Sequence, residues 1–194
     1  KQIRVQTIAD CLCKDNRVIE EWLVRDNLAA VQQLGFDPDR VAKDQAQADK
    51  INSFSLIEFH EANRARVLDA PQADRGESEA ITLAGKAVRL WFDIADLAYL
   101  REVYDFRVQS SLPGDTSLYG PDQVRTWFSS LLKSFPDLKV SIDHVVETAY
   151  LGDATDVAIR WSATGKQSAA GRYGPPSNAT VYLLGVTQFR IMNG

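Results

Sequence analysis

The sequence is poor in the residues that most often announce chemistry: one methionine, two cysteines and two histidines in 194 residues. Cys11 and Cys13 stand two apart on one expected strand, where side chains of the same face project in parallel and rarely close a disulfide. No second Cys or His pair completes a ligand set, so buried or half-buried free thiols are expected rather than a metal or redox centre. There is no glycine-rich phosphate loop and no nucleophile elbow, and neither a cofactor nor a metal is expected. No basic block occurs, and the net charge of −4 disfavours nucleic acid, whose binding needs a basic face to release counterions. The longest apolar stretches, such as residues 181–186, fall far short of the ~20 residues a membrane span requires. No charged-then-apolar leader opens the chain, so a cytoplasmic location without a membrane partner is expected. The single methionine is Met192, and the chain opens at Lys1 close to an expected strand. The true start is therefore expected to lie upstream.

What is present is the composition of a globular chain, 45% hydrophobic and 25% charged, long enough for one ordinary domain and an appendage. Residues 4–16 laid over residues 182–194 match a long strand ending in a polar turn in both places, with few identities, which suggests a repeat. Three parts are expected. Residues 1–36 are the last strands and tail of a preceding repeat, 37–76 a long helix and linker, and 77–194 a domain lacking its final strand.

Periodicity assigns the elements. Residues 3–13 and 17–24 are β-rich runs joined by Lys14-Asp15-Asn16, a hairpin signal. A short helix follows from Asp26 to Leu34, capped by Asp26 or Asn27 and ended by Gly35. From Pro38 to about Asp69 no breaker intervenes. Ala48, Ile51, Phe54 and Ile57 recur at threes, predicting one long helix with a single apolar stripe that bridges the two repeats. Residues 71–76 are polar and loop-like, the best boundary candidate. Helices are expected over 78–92 and 96–103, and Pro121 opens another. In that helix Val124, Trp127, Phe128, Leu131, Leu132 and Phe135 form an expected core stripe. The period then switches to two: Leu138, Val140 and Ile142 alternate with polar residues, as do Val157, Ile159 and Trp161, and a third run covers 180–192. Helices followed by an antiparallel meander make an α+β layout.

Residues from about 88 to 194 resemble the SnoaL-like polyketide cyclase branch of the nuclear transport factor 2-like superfamily. The resemblance rests on Trp91-Phe92, the helix with Leu100 and Tyr104, Gly120 before Trp127-Phe128, and Phe135-Pro136-Asp137-Leu138 leading into a strand. It rests also on Arg160-Trp161 with Gly165 and on the terminal Phe189-Arg190-Ile191-Met192-Asn193-Gly194. Residues 17–22, with Asp26 and Gln33-Leu34-Gly35, are similar to the final strand and tail of the same family. The resemblance implies a cone-shaped curved antiparallel sheet wrapped around N-terminal helices, also described as a cystatin-like α+β barrel. It further implies an apolar cavity for a small hydrophobic molecule, no cofactor, and a homodimer formed through the outer face of the sheet. Enzymes of this kind carry out general acid/base chemistry beside a carbonyl, cyclase- or isomerase-like. The same fold also serves as a non-catalytic binding or assembly module.

Candidate site residues follow, each with a bland alternative. His144 shares alternation parity with Val140 and Ile142, so without a bulge it faces the interior, as a core histidine or a pocket acid/base. His60, beside Glu58 and Glu61, is expected to be a solvated helix residue. Arg160 opposes the Val157-Ile159-Trp161 face, as a dimer-face charge or an anion contact. Trp91 and Trp161 belong to core or ligand wall, as does Trp127, and Tyr104 could offer its hydroxyl to a ligand. Finally, a sheet ending at residue 194 would leave an open edge, which residues 18–24 could fill, from the same chain or a partner's. Asp26 and Trp22 would then arrive at the pocket mouth, Asp26 as a catalytic carboxylate. Helix capping is the competing role for Asp26.

Overall fold

The computed structural model describes residues 2–68 and 78–192. Residues 71–76, expected to be the boundary loop, lie outside the described residues. The chain divides into two compact units: Lys1–Ala70 with Ser111–Ser117, and Pro71–Ser110 with Leu118–Gly194.

In the first unit β1 (Thr7–Lys14) and β2 (Arg17–Arg25) form an antiparallel hairpin. Asp15 and Asn16 make its two-residue turn, both with positive φ (51° and 58°), the conformation that matches the twist of the flanking strands. Cys11 and Cys13 are free and exposed, not buried as expected, because a two-stranded ribbon cannot enclose both its faces. Helix α1 (Asn27–Leu34) starts at the Asp26 cap and ends at Gly35, whose φ of 87° is the left-handed geometry of a helix stop. The single helix expected over 38–69 is two helices, α2 (Pro38–Ile51) and α3 (Leu56–Leu68). Asn52 caps α2, Ser53 takes a φ of 52°, and the Ser55 hydroxyl accepts from the Glu58 N–H to begin α3. The expected stripe fails at this break: Ile51 is 72% exposed and α2 buries no residue. Asn and Ser compete for backbone hydrogen bonds, and here that competition outweighs the apolar spacing.

In the second unit α4 (Glu79–Leu90) is capped by the Ser78 hydroxyl, which accepts from the Ile81 N–H. A 3₁₀ turn (Asp96–Tyr99) leads into α5 (Leu100–Val103), and α6 (Gly120–Ser134) carries the expected stripe. Val124, Phe128, Leu131, Leu132 and Phe135 are all buried, and Trp127 is half-buried against them. A short hairpin, β3 (Gln109–Leu112) and β4 (Thr116–Tyr119), was not anticipated; its tip belongs to the first unit. Strands β5 (Lys139–Ala149), β6 (Ala154–Lys166) and β7 (Thr180–Met192) make an antiparallel meander in the order β5-β6-β7. One face of this sheet, carrying Val157, Ile159, Ala163, Leu183 and Phe189, packs on α4, α5 and α6 to make the core.

Asp143 interrupts the β5 alternation. Ile142 pairs with Trp161 and His144 with Arg160, leaving Asp143 as the extra residue of a bulge. Parity therefore inverts along β5: Val140 and Ile142 face the core before the bulge, and Val145 faces it afterwards. Among the described residues no helix is long and apolar enough to cross a membrane.

Candidate functional site

The core face of the meander is lined by aromatic side chains that the helices and strands bring together from distant positions. Trp91, at the end of α4, stacks on Phe128 of α6 with ring centroids 4.7 Å apart and planes 11° from parallel. It lies 5.8 Å from the Phe189 ring of β7. Phe92 meets Trp161 edge-on at 5.1 Å, and Trp127 meets Phe128 at 4.9 Å. Trp161 lies flat across β7, where its partner in the ladder is Gly185. A methyl at Gly185 would overlap the indole, so the glycine makes the room for it. The Trp161 Nε1 donates to the Thr187 hydroxyl at 3.0 Å. These contacts show why Trp91 and Trp161 read equally as core and as ligand wall: both are packed into the interior.

Polar groups in this interior are few. Tyr104, just after α5, has its ring 6.5 Å from Phe189. Burial pushes its hydroxyl well above the ordinary value of 10.0, so it stays protonated, a donor, at any physiological pH. The Trp91 indole beside it offsets part of that rise, although its N–H is not aligned for a hydrogen bond of normal geometry. Nε1 of Trp91 and of Trp127 are both buried without a hydrogen-bond partner. Unsatisfied buried donors are costly and uncommon, and functional sites are where they concentrate.

The two residues expected to move protons stand elsewhere. His144, carried across by the Asp143 bulge, pairs with Arg160 on the outer face of the sheet and not beside Val140 and Ile142. Arg160 also opposes the core face, and it is 3% exposed; Ser162 on the same face is equally covered. The middle of that face is thus already enclosed within the chain.

Asp26 takes the capping role. Its Oδ1 accepts from the Ala29 N–H and the Gly114 N–H, both at 3.0 Å, and its Oδ2 from Gly114 at 2.8 Å and Asp115 at 3.2 Å. One carboxylate thereby starts α1 and binds the tip of the β3–β4 hairpin. Trp22 is half-buried on β2 and donates from Nε1 to Glu20 at 2.7 Å. β2 pairs with β1 and not with the three-stranded sheet, so within this chain residues 17–25 do not fill an open edge. A two-residue turn makes the local partner the first available. Sequence reasoning missed the hairpin tip as the partner of Asp26; its Pro113-Gly114-Asp115 turn signal could have revealed the hairpin but not the contact.

Two open depressions mark the surface of the second unit. One, of about 500 Å³, lies between the 3₁₀ turn and α6 and is edged by Ile94, Arg125, Ser129 and Lys133. The other, of about 650 Å³, lies where the α4 N-terminus meets the β5–β6 end, beside Glu79, Glu147 and Asp153. None of the expected site residues lines either one. Among the described residues no three His, Cys, Asp or Glu side chains cluster closely enough to hold a metal ion.

A meander packed on helices, with an aromatic interior and few polar groups, defines a protein of the nuclear transport factor 2-like class. The chain belongs to the SnoaL-like polyketide cyclase family, whose profile matches residues 82–194. A protein of Jannaschia sp. CCS1, provisionally named a SnoaL-like polyketide cyclase, shares the fold at a TM-score of 0.50 and 23% identity, over 63% of this chain and 85% of its own. IdmH of Streptomyces antibioticus, provisionally named a polyketide cyclase, is similar at a TM-score of 0.45 and 21% identity, over 58% and 84% of the two chains. TsrD of Streptomyces laurentii is similar at a TM-score of 0.48 and 16% identity, over 62% and 84%. No curated protein matches the chain.

Proposed function

We propose that the second unit binds a small hydrophobic carbonyl compound against its aromatic interior, with the Tyr104 hydroxyl donating to the carbonyl oxygen. The supporting observation is the pairing of a protonated, largely enclosed Tyr104 with a Trp91 N–H that lacks an acceptor. Two donors in an apolar surround bind an oxygen far better than they would in water, and better still as it gains negative charge. Cyclase- or isomerase-like proton transfer beside the carbonyl is the chemistry such polarisation assists. The expected bases do not support it, since His144 is on the other face and Asp26 is engaged by backbone N–H groups. A second reading, binding without turnover, is favoured by the stacked side chains that occupy the interior.

The test is a thermal-shift titration with a panel of polycyclic aromatic ketones, for the natural chain and for Tyr104→Phe. Saturable stabilisation that weakens about tenfold in affinity in the variant is expected, the loss of one buried hydrogen bond to an oxygen. No shift with any ketone, or equal affinity for Tyr104→Phe, defeats the proposal. Hydrogen–deuterium exchange at the ketone α-carbon, followed by NMR, separates turnover from binding alone.

A further inference from the structure

The connection between β6 and β7, residues 167–179, is a built strap and not a slack loop. Gln167, 9% exposed, holds it together: its backbone N–H donates to the Ala179 carbonyl and its carbonyl accepts from the Asn178 N–H, each at 3.0 Å. Its side-chain amide donates to the carbonyls of Tyr173 and Pro175 at 3.1 and 3.0 Å and accepts from the Ser177 hydroxyl at 2.6 Å. The strap lies against α6. Tyr173 packs on Phe135 with ring centroids 5.2 Å apart. The Arg172 guanidinium lies over the Trp127 ring at 5.2 Å and over the Tyr173 ring at 5.7 Å. A methyl at Gly171 would overlap the Ser134 hydroxyl, so the glycine lets the strap come this close.

The polar groups gathered on α6 at this place are donors without acceptors. Trp127 Nε1 and Ser134 Oγ, two helical turns apart and so on one face of α6, are both buried without a hydrogen-bond partner, and Ser134 is 0% exposed. Among the described residues no carboxylate pairs with Arg172. A guanidinium whose face rests on an aromatic ring keeps its in-plane N–H groups for a planar acceptor with two oxygens. We propose that Arg172 binds a carboxylate carried by the ligand of the aromatic interior, with the N–H of Trp127, the ring beneath Arg172, as the adjacent donor. The substrate class is then an apolar keto acid. Trp127 joins the two places, because its ring meets Phe128 at 4.9 Å and Phe128 stacks on Trp91 at 4.7 Å. The apolar part of such an acid gains contact with Trp127 and Tyr173, which a bare inorganic anion does not use. The inference rests on the reading of that interior as a ketone site and adds the charge of its ligand.

Calorimetric titration of the full chain with an acetylnaphthalene carboxylic acid and with its primary carboxamide tests the proposal, since the two compounds share the ketone and the rings and differ in charge. The acid is expected to bind about fivefold more tightly, the upper range for an ion pair at an exposed guanidinium. That advantage is expected to shrink as salt is raised. Arg172→Gln is expected to bind acid and carboxamide alike, with unchanged circular dichroism because Arg172 is exposed. Tyr104→Phe is expected to weaken both compounds equally and to keep their ratio. Equal affinity of the natural chain for acid and carboxamide, or a preference for the acid that survives Arg172→Gln, overturns the inference and leaves the ketone reading standing. Displacement of the acid by an equal concentration of acetate reduces the site to one for bare anions and overturns the inference as well. No binding of either compound defeats the ketone reading and this inference together.

Discussion

Asp26 illustrates how one residue's chemistry is decided by who reaches it. The sequence offers a carboxylate that either caps a helix or catalyses, and the structure gives it to three backbone N–H groups, of Ala29, Gly114 and Asp115. Carboxylates held this way are structural acceptors. Asp26→Ala is therefore expected to destabilise the chain by about 1–2 kcal/mol in urea denaturation, a cap's usual contribution. Ketone affinity should stay unchanged, the opposite pattern to Tyr104→Phe; a loss of affinity with stability intact would restore Asp26 to the site. Tyr104 and Trp91 were readable as aromatic residues of the interior. Their mutual approach, separated by thirteen positions and the 3₁₀ turn, was not, because side-chain proximity across a turn depends on packing and not on spacing.

Among the elements, two failed expectations share a cause. Strict alternation assigns His144 to the core and a period of three assigns residues 38–69 to one helix, and in each case a single irregular residue overrides the pattern. The Asp143 bulge keeps the His144 imidazole off the core face, while Asp143 itself is buried within the chain. Deleting Asp143 removes the extra residue and leaves His144 opposite Arg160 on the outer face and Val145 on the core face, so that the ladder runs on without a bulge. This variant is expected to lose under about 2 kcal/mol in a denaturant titration, and His144→Ala under about 1 kcal/mol. A deletion that unfolds the chain would mean that the bulge itself is needed to shape the sheet. Ser53, at positive φ, plays the equivalent part between α2 and α3. The meander, by contrast, was legible as three strands, the third to its ends and the first two in part, since runs with alternating burial leave little freedom to slip.

At the scale of the whole molecule, the first unit carries a group whose protonation couples its stability to pH. His60 of α3 sits half-buried with its ring 5.5 Å from Phe59, and burial lowers its pKa below 6.5. It is not the solvated helix residue that its acidic neighbours suggested. With the folded pKa depressed, the unfolded chain binds the proton more readily, so stability from this group is complete above 6.5 and is lost as pH falls toward the folded value. Thermal denaturation of the first unit between pH 7.5 and 5.5 is expected to show that decline, and His60→Gln to flatten it. An unchanged slope in the variant would assign the decline to other groups.

The sequence by itself determined the class of fold, the hairpin at Asp15-Asn16, the core stripe of α6 and the three strands of the meander. Each of these follows from local period, turn chemistry or capping, which act between residues close along the chain. Only the tertiary structure decided which face His144 takes, what Asp26 binds, and that Gly185 clears the space for Trp161. Those outcomes turn on single-residue irregularities and on contacts between residues as far apart as Asp26 and Gly114, where packing and hydrogen-bond satisfaction, rather than periodicity, select the arrangement.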